Sequence, residues 1–350
     1  MTRVLVTGGS GFIGQHLVSA LVARGRKVRV LDLRAPTRAL PGVQTVIGSV
    51  LDPKVVDAAL EGVDQVYHLA GLPGMWLPRK EDFHTVNYRG TEVVLAAARK
   101  RGTARFLHCS TESILFRRSS SGRANTEDAL LPAYDMPGPY TRSKMLADQL
   151  VMQAAASGFP VIVGCPTMPI GPDDHSLTPP TAMLRHFLGK RFQLYLDFMV
   201  NLVDVRDAAA GLILAMERGK PGNRYIIGGE SIPLKQVLQL MAEISDRRST
   251  LIPVPAPLAK AAAAMLELIA DHVTRRSPSG TAEGVRIALR AHGLSIEKAQ
   301  RELGYAPRPV ELALRETVTF LLGAGDNRPQ QSSPPDPQTR SLRHNRRYGV

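Results

Sequence analysis

Residues 1–14, MTRVLVTGGSGFIG, decide the fold of this chain. Their first part, residues 3–7, is a short apolar run rich in Val and Leu, which predicts a buried parallel strand. A glycine-rich turn follows at once, and apolar residues then recur at helical spacing over residues 13–22. This order favours a phosphate site, because glycines let the backbone approach an anion and a helix N-terminus offers free N–H groups.

The glycines of this turn have the spacing T-G-x-x-G-x-x-G, slightly wider than the G-x-G-x-x-G of ordinary dehydrogenases. Glycines also mark plain turns, so the position between a strand and a helix is what favours a nucleotide here. We therefore assign the following residues of the turn and of the helix start to cofactor binding: Gly8, Gly11, Phe12, Ile13 and Gly14.

This opening resembles that of the extended branch of the short-chain dehydrogenase/reductase superfamily, the NAD-dependent epimerase/dehydratase family. The branch includes epimerases, dehydratases, dihydroflavonol 4-reductases and 3β-hydroxysteroid dehydrogenases. Up to residue 164, six apolar strands alternate with helices, which predicts an α/β Rossmann-type doubly wound parallel sheet. The resemblance, which covers about residues 1–320, adds a smaller C-terminal substrate-binding lobe.

Composition is ordinary for a water-soluble protein, with 350 residues, 44% hydrophobic and 21% charged. Cys109 and Cys165 end apolar runs and are expected to be buried thiols of a reducing compartment. The first strand begins at Arg3, and the most apolar helical stretch, 258–270, is too short to cross a bilayer. We therefore expect a cytoplasmic protein without a signal peptide or a transmembrane segment.

The net charge of +13 raises the question of a nucleic-acid partner. The basic residues are scattered, and no aromatic-interleaved patch accompanies them. We therefore expect a small-molecule substrate, no specific nucleic acid and no metal, and we leave a homodimer open.

Asp32 follows the second predicted strand, 28–31, about 20 residues past the glycines, where an acidic residue accepts hydrogen bonds from the adenosine ribose. A carboxylate there repels a 2′-phosphate, which favours NAD. Arg34 and Arg38 lie close by and keep NADP open. The alternative is a simple turn residue at a strand end.

The resemblance implies further cofactor contacts after the later strands. Ala70 follows the fourth strand, 63–69, where small residues allow a close approach, and Pro166 follows the sixth. Asn87, in a long predicted helix over 81–100, matches an asparagine that braces the active-site backbone in this family. His68 has no partner at metal-ligand spacing and is expected in the core.

The segment Tyr140-Thr141-Arg142-Ser143-Lys144 is a Y-x-x-x-K motif, whose spacing puts Tyr140 and Lys144 on one helix face. A surface pair is the alternative. A nearby ammonium and the positive ring of an oxidised nicotinamide both favour a phenolate, so we expect a lowered Tyr140 pKa and Tyr140 as the acid/base group. The resemblance implies that Lys144 also binds the nicotinamide ribose and that Thr111, at the end of the fifth strand, polarises the substrate oxygen.

Three functions are compatible with these residues. The first is oxidation or reduction at a secondary alcohol or ketone, and the second is a nucleotide-sugar epimerase or dehydratase. The third, a non-catalytic NAD(P)-binding regulator, is disfavoured because such relatives commonly lose the Tyr/Lys pair. Glu112 lies in a stretch partly like the S-T-D-E of sugar dehydratases, but Ser113 stands in place of the base, which disfavours dehydration. Glu112 has a simpler role open to it, a hydrogen bond to the following loop.

Met168 stands where many nucleotide-sugar epimerases carry an asparagine, and a thioether packs well against apolar ligands. Trp76, in the loop over residues 72–79, either caps a substrate pocket or plugs its loop onto the body of the protein. Both this loop and Pro166-Thr167 resemble the dihydroflavonol reductase-like branch. We therefore expect an apolar ketone or alcohol as the substrate.

The domain prediction follows from this pattern. Residues 1–165 form an NAD(P)-binding Rossmann domain, and residues 200–228 return to its sheet. Residues 166–199 and 229–322 form the substrate-binding lobe. The stretch 113–139 is expected to be a long surface loop, and residues 323–350, rich in Pro, Gln, Ser and Arg, a disordered basic tail.

Overall fold

The structure is a computed structural model that describes residues 2–116, 124–247 and 249–326. Its largest sheet has seven strands, all paired in parallel: β1 Arg3–Thr7, β2 Lys27–Asp32, β3 Gln44–Ile47, β4 Gln65–His68, β5 Arg105–Cys109, β6 Val161–Pro166 and β10 Arg224–Ile227. The order across it is β10-β6-β5-β4-β1-β2-β3. This confirms the predicted doubly wound sheet, whose order reverses between β1 and β4 and opens a crevice there.

Two smaller sheets lie outside the large one. The first consists of β7 Met168–Ile170, β9 Met199–Asp204 and β11 Ser231–Pro233, in the order β11-β9-β7, and the second of β8 Phe192–Tyr195 and β12 Thr250–Pro253.

Helices connect these strands: α1 Phe12–Ala23, α2 Pro53–Ala59, α3 Glu81–Phe83, α4 Gly90–Lys100, α5 Pro139–Ala156, α6 Pro179–Phe187, α7 Val205–Arg218, α8 Leu234–Ser245, α9 Ala256–Ile269, α10 Ala282–Ala288, α11 Glu297–Leu303 and α12 Val310–Asp326. A π-helical segment, His84–Arg89, joins α3 to α4, so the predicted helix over 81–100 has a widened middle. A second one, Ala270–Thr274, continues α9. No helix in the described ranges is both long and apolar enough to cross a membrane.

Strand β1 is buried on both faces, which explains its unbroken apolar run. Val4 and Val6 belong to a core cluster shared with α1 and α7, while Leu5 belongs to the cluster on the other face of the sheet. A third cluster, which includes Leu202 and Leu314, lies among the smaller sheets, α8 and α12. This separate core supports the proposed substrate-binding lobe, whose limits stay a prediction.

Three expectations are corrected by the structure. Strand β9 was expected to return to the large sheet, but it pairs with β7 and β11, so α7 and β10 are the returning elements. The stretch 113–139 is no plain surface loop, because Leu115 and Leu131 are buried in the core beside the large sheet. The predicted tail begins too early, since α12 continues to Asp326, and residues 327–350 lie outside the described ranges.

Candidate active site

The glycine turn after β1 leaves no room for a Cβ at Gly8 or Gly14. Gly8 has a φ of +72°, and a Cβ there would lie 2.7 Å from the backbone nitrogen of Ala70. A Cβ on Gly14 would clash with the carbonyl oxygen of Gly8. The turn therefore packs tightly against the end of β4 and against the first turn of α1.

The N-terminus of α1 is free to accept an anion. Gly11 occupies the N-cap position without a side-chain hydrogen bond, and no acidic residue lies in the first turn of the helix. Phe12 is buried with its ring edge against His16, and Ile13 packs on the core. The side chains of Phe12 and Ile13 thus fix the helix and leave its backbone N–H groups to a ligand.

Asp32, at the end of β2, lies beside this turn. Its carboxylate accepts hydrogen bonds from the backbone nitrogens of Ser10, at 3.0 Å, and Arg34, at 3.3 Å. Arg34 and Arg38 are exposed. A glycine cradle, an uncapped helix N-terminus and a strand-end carboxylate together fit a dinucleotide.

Asn87 joins the end of β4 to α5 from within the π-helical segment. Its Oδ1 accepts from the Leu72 nitrogen at 2.7 Å, and its Nδ2 donates to the Ser143 hydroxyl at 3.1 Å. Ala70, two residues before Leu72, donates its backbone N–H to Thr7. This network braces the backbone that borders the crevice.

The side chains of Thr111, Tyr140 and Lys144 meet where β5 ends. Thr111 caps the short 3₁₀ helix Glu112–Ile114 and donates its hydroxyl to Glu112 Oε2 at 2.9 Å, and its side chain lies close enough to Tyr140 to lower the pKa of that phenol. Lys144 Nζ donates to the Cys109 carbonyl oxygen at 2.7 Å. The predicted catalytic residues are therefore brought together, although 29 residues separate Thr111 from Tyr140 in the sequence.

The protein groups around Tyr140 do not by themselves lower its pKa. Burial raises the pKa of the Tyr140 hydroxyl above its usual value, and this outweighs the Thr111 side chain, which lowers it. Burial also lowers the pKa of Lys144, whose ammonium is directed to the Cys109 carbonyl.

Glu283, on α10, contacts this site and was missed in the sequence. It is 3% exposed, and its Oε1 accepts from the Thr141 nitrogen at 2.8 Å, while its Oε2 accepts from the Tyr140 nitrogen at 3.3 Å. Gly138, at the N-cap of α5, has no side chain to do this. Because the two partners are 142 residues apart, no local signal marks Glu283.

Among the tentative substrate residues, Glu112 is held in place by its neighbours. It accepts from the hydroxyls of Thr111, at 2.9 Å, and Ser113, at 3.1 Å, and burial raises its pKa. Met168 is half-buried on β7 and packs on the third core cluster. Pro166, at the end of β6, is paired in register with Ile227.

Trp76 is buried, and its Nε1 donates to Asp271 Oδ1 at 2.7 Å. This contact attaches the loop over residues 72–79 to the segment that follows α9. It favours the interpretation that Trp76 anchors its loop on the body of the protein over the interpretation that it caps a substrate pocket.

His68 is a core residue, as expected. Its ring nitrogens lie 2.7 Å from Thr7 Oγ1 and 3.0 Å from Thr91 Oγ1, and burial lowers its pKa to about 3. In the described parts of the chain, no group of three His, Cys, Asp or Glu is arranged to hold a metal ion.

Fold and site together define a nucleotide-dependent enzyme of the Rossmann type. Residues 4–228 match the NAD dependent epimerase/dehydratase family, and the chain belongs to this family. It is therefore an NAD-dependent enzyme of the extended short-chain dehydrogenase/reductase type, which confirms the resemblance found in the sequence.

Two relatives and one solved structure illustrate the similarity. The chain is 34% identical over 321 residues to 4-hydroxy-2-methyl-3-oxo-4-farnesyl-3,4-dihydroquinoline-1-oxide ketoreductase of Stigmatella aurantiaca, covering 87% of this chain and 92% of that protein. It is 32% identical over 329 residues to a Synechocystis sp. protein whose name includes dihydroflavonol 4-reductase, covering 91% and 94%. The UDP-glucose 4-epimerase of Thermus thermophilus, solved with NAD, superposes with a TM-score of 0.74 over 92% of this chain and 100% of that one. At 23% identity, that likeness concerns the fold alone.

Proposed function

We propose that this enzyme transfers a hydride between NAD(H) and the secondary alcohol or ketone carbon of an apolar substrate, with Tyr140 as the acid/base group. The observation that carries the proposal is the meeting of Tyr140 and Lys144, one turn apart on α5, with Thr111 at the end of β5. Nicotinamide, when bound, supplies the site that gives or accepts the hydride.

Tyr140 donates its phenolic proton to the substrate oxygen during ketone reduction and takes a proton back during alcohol oxidation. The Thr111 hydroxyl polarises the same substrate oxygen, and Lys144 holds the nicotinamide ribose. The cofactor residues are those of the glycine turn, with Asp32, Ala70, Asn87 and Pro166.

Two observations favour an apolar substrate over a nucleotide sugar. Met168 offers a thioether near the end of the large sheet, and the ketoreductase relative is named for a substrate that bears a farnesyl chain. The runner-up, an epimerase or dehydratase of nucleotide sugars, is weakened because both oxygens of Glu112 are occupied and Ser113 provides no base.

Replacing Tyr140 by Phe tests the acid/base assignment. We expect turnover to fall by about 10²- to 10⁴-fold, the usual worth of general acid–base catalysis, while NADH binding measured by fluorescence survives. Tyr134→Phe, at an exposed position, is the control and retains its activity. Lys144→Ala should weaken both binding and turnover. A Tyr140→Phe enzyme with wild-type activity would refute the assignment.

A thermal-shift and turnover panel with NAD(H) tests the substrate class. Apolar ketones and alcohols are expected to stabilise the protein and to react. Strong stabilisation by UDP- or GDP-sugars, with no response to apolar alcohols, would reverse the ranking of the two candidates.

A further inference from the structure

Helix α9 and the π-helical segment Ala270–Thr274 after it present apolar side chains to solvent. We call their exposed large side chains the apolar ridge. Its members, with the exposed fraction of each, are Leu258 (62%), Met265 (60%), Leu268 (59%), Ile269 (41%) and Val273 (74%). Their spacing follows the helix, so they form one continuous face. Single exposed apolar residues are ordinary, whereas a contiguous apolar face marks an interaction surface.

The acidic residues of the same helical run are turned inward. Lys80 Nζ, on the body of the protein, donates to Glu267 Oε1 at 2.9 Å and to Asp271 Oδ2 at 2.8 Å. Asp271 also accepts from the Trp76 indole. An ordinary surface helix buries its apolar residues and exposes its charges. Here the large apolar side chains are exposed and the acidic side chains face the protein body, which fits an apolar environment outside the ridge.

Other parts of the chain offer little to cover the ridge. Residues 117–123 read RRSSSGR and contain no large apolar side chain. Residues 327–350 contain five arginines, with Leu342, Tyr348 and Val350 as their large apolar residues. Neither composition matches an apolar face of this length.

A second copy of the chain is also a poor partner for the ridge alone. The two segments comprise 14 and 5 residues. At about 1.5 Å per residue and a width of about 10 Å, they present an area on the order of 300 Å². A stable protein interface needs about 800 Å² on each side.

The charges around the ridge match an anionic lipid surface. Arg275 and Arg276, directly after the π-helical segment, are exposed, and the whole chain carries a net charge of +13. Basic residues beside an apolar helix face are attracted to anionic headgroups, while the apolar side chains enter the headgroup and acyl boundary. We propose that the apolar ridge docks this protein on the surface of an anionic lipid bilayer.

The ridge lies next to the elements that form the active site. Asp271 holds the Trp76 loop, and α10, which contacts α9, places Glu283 on the backbone of Tyr140. A membrane-dissolved substrate would thus enter beside the site without crossing water. This last step rests on the proposed function, whereas the docking does not.

Co-sedimentation of the full-length protein with vesicles tests the docking. We expect binding to vesicles of phosphatidylcholine with phosphatidylserine, and weaker binding to pure phosphatidylcholine or at high salt. Leu268→Asp in the ridge should reduce the partition coefficient by about tenfold or more, since it removes one buried leucine and adds a charge. Leu312→Asp, on α12 and 51% exposed, is the matched control and should bind like the wild type.

Each outcome decides for or against the proposal. Equal loss in Leu268→Asp and Leu312→Asp, or no binding to either vesicle, overturns it. Ridge-dependent dimerisation in light scattering without vesicle binding assigns the face to a second copy. Binding that appears only after removal of residues 327–350 assigns it to that segment. If Leu268→Asp fails to fold, Val273→Asp repeats the test near the end of the ridge. Turnover of a water-soluble ketone reports on the proposed function separately.

Discussion

Glu283 supplies from a distant part of the chain the helix cap that Gly138 lacks. Its carboxylate accepts hydrogen bonds from the first N–H groups of α5 and thereby fixes the backbone of Tyr140. Burial raises the pKa of this carboxyl group. Glu283 is therefore a positioning residue, which acts on the proton donor through the backbone.

Glu283→Gln should lower kcat about tenfold with little change in the affinity for NADH, because the amide nitrogen opposes a backbone N–H at the cap. Steady-state kinetics and fluorescence titration measure the two effects. Glu297→Gln, at an exposed position, is the control.

The pH dependence of stability gives a second test of Glu283. Its pKa is raised in the folded protein above the usual 4.5, so its contribution to the free energy of unfolding declines as pH rises through the raised pKa. The Glu283→Gln variant should lack this decline of stability with pH. An unchanged kcat, together with an unchanged dependence of stability on pH, would contradict the role of Glu283 as a positioning residue.

Asp32 is expected to set the cofactor preference. Its carboxylate at the end of β2 repels a 2′-phosphate, so NADH should bind more tightly than NADPH. Fluorescence titration with both reduced cofactors measures this, and Asp32→Ala should narrow the difference. Equal or tighter binding of NADPH by the wild type would show that Arg34 and Arg38 outweigh the carboxylate.

Among the elements, the unit formed by β1, the glycine turn and α1 is the most constrained. The turn is packed between Ala70 on one side and the first turn of α1 on the other. The backbone N–H groups of α1 stay open because Gly11 provides no cap and no acid follows it.

Gly14→Ala should distort this unit, because the added Cβ meets the carbonyl oxygen of Gly8, which cannot move without shifting the turn. We expect a loss of about 1–3 kcal/mol in the free energy of unfolding, as for other overpacked sites, and at least a tenfold loss of NADH affinity. Gly280→Ala, where a Cβ meets nothing within 4 Å, is the control. Thermal unfolding and NADH titration give the readouts, and wild-type affinity in Gly14→Ala would argue against the cradle.

At the scale of the whole molecule, the arrangement of the hydrophobic cores decides which parts of the chain are needed for a stable fold. Two clusters cover the faces of the large sheet, and the third joins the small β11-β9-β7 sheet to α8 and α12. Leu314 and Val318 of α12 are fully buried in that third core. The C-terminal helix is therefore part of the folded structure up to Asp326.

Removing residues 327–350 should leave the melting temperature and turnover unchanged, because α12 and the third core are kept. Removing residues 310–350 should cause a large loss, since each buried Leu or Val contributes roughly 1.5–3 kcal/mol. Thermal unfolding of both truncations measures the difference. A marked drop on removal of 327–350 would show that those residues contribute to the fold.

The sequence by itself determined the local units of this protein. Strand β1 has the predicted ends, α1 begins within one residue of the prediction, and the Tyr140–Lys144 spacing lies within one helix. Such features depend on neighbours a few residues apart, which hydrophobic periodicity and turn glycines report directly.

Tertiary structure decided what depends on distant contacts. The pairing of β9 with β7 and β11, the cap from Glu283, and the hold of Asp271 on Trp76 each join segments far apart in the chain. The direction of the Tyr140 pKa shift belongs with them, because it follows from burial rather than from the lysine four residues away. Strand partners, burial and helix caps from distant residues depend on how the elements pack against each other in three dimensions. A local pattern in a single sequence does not report that packing.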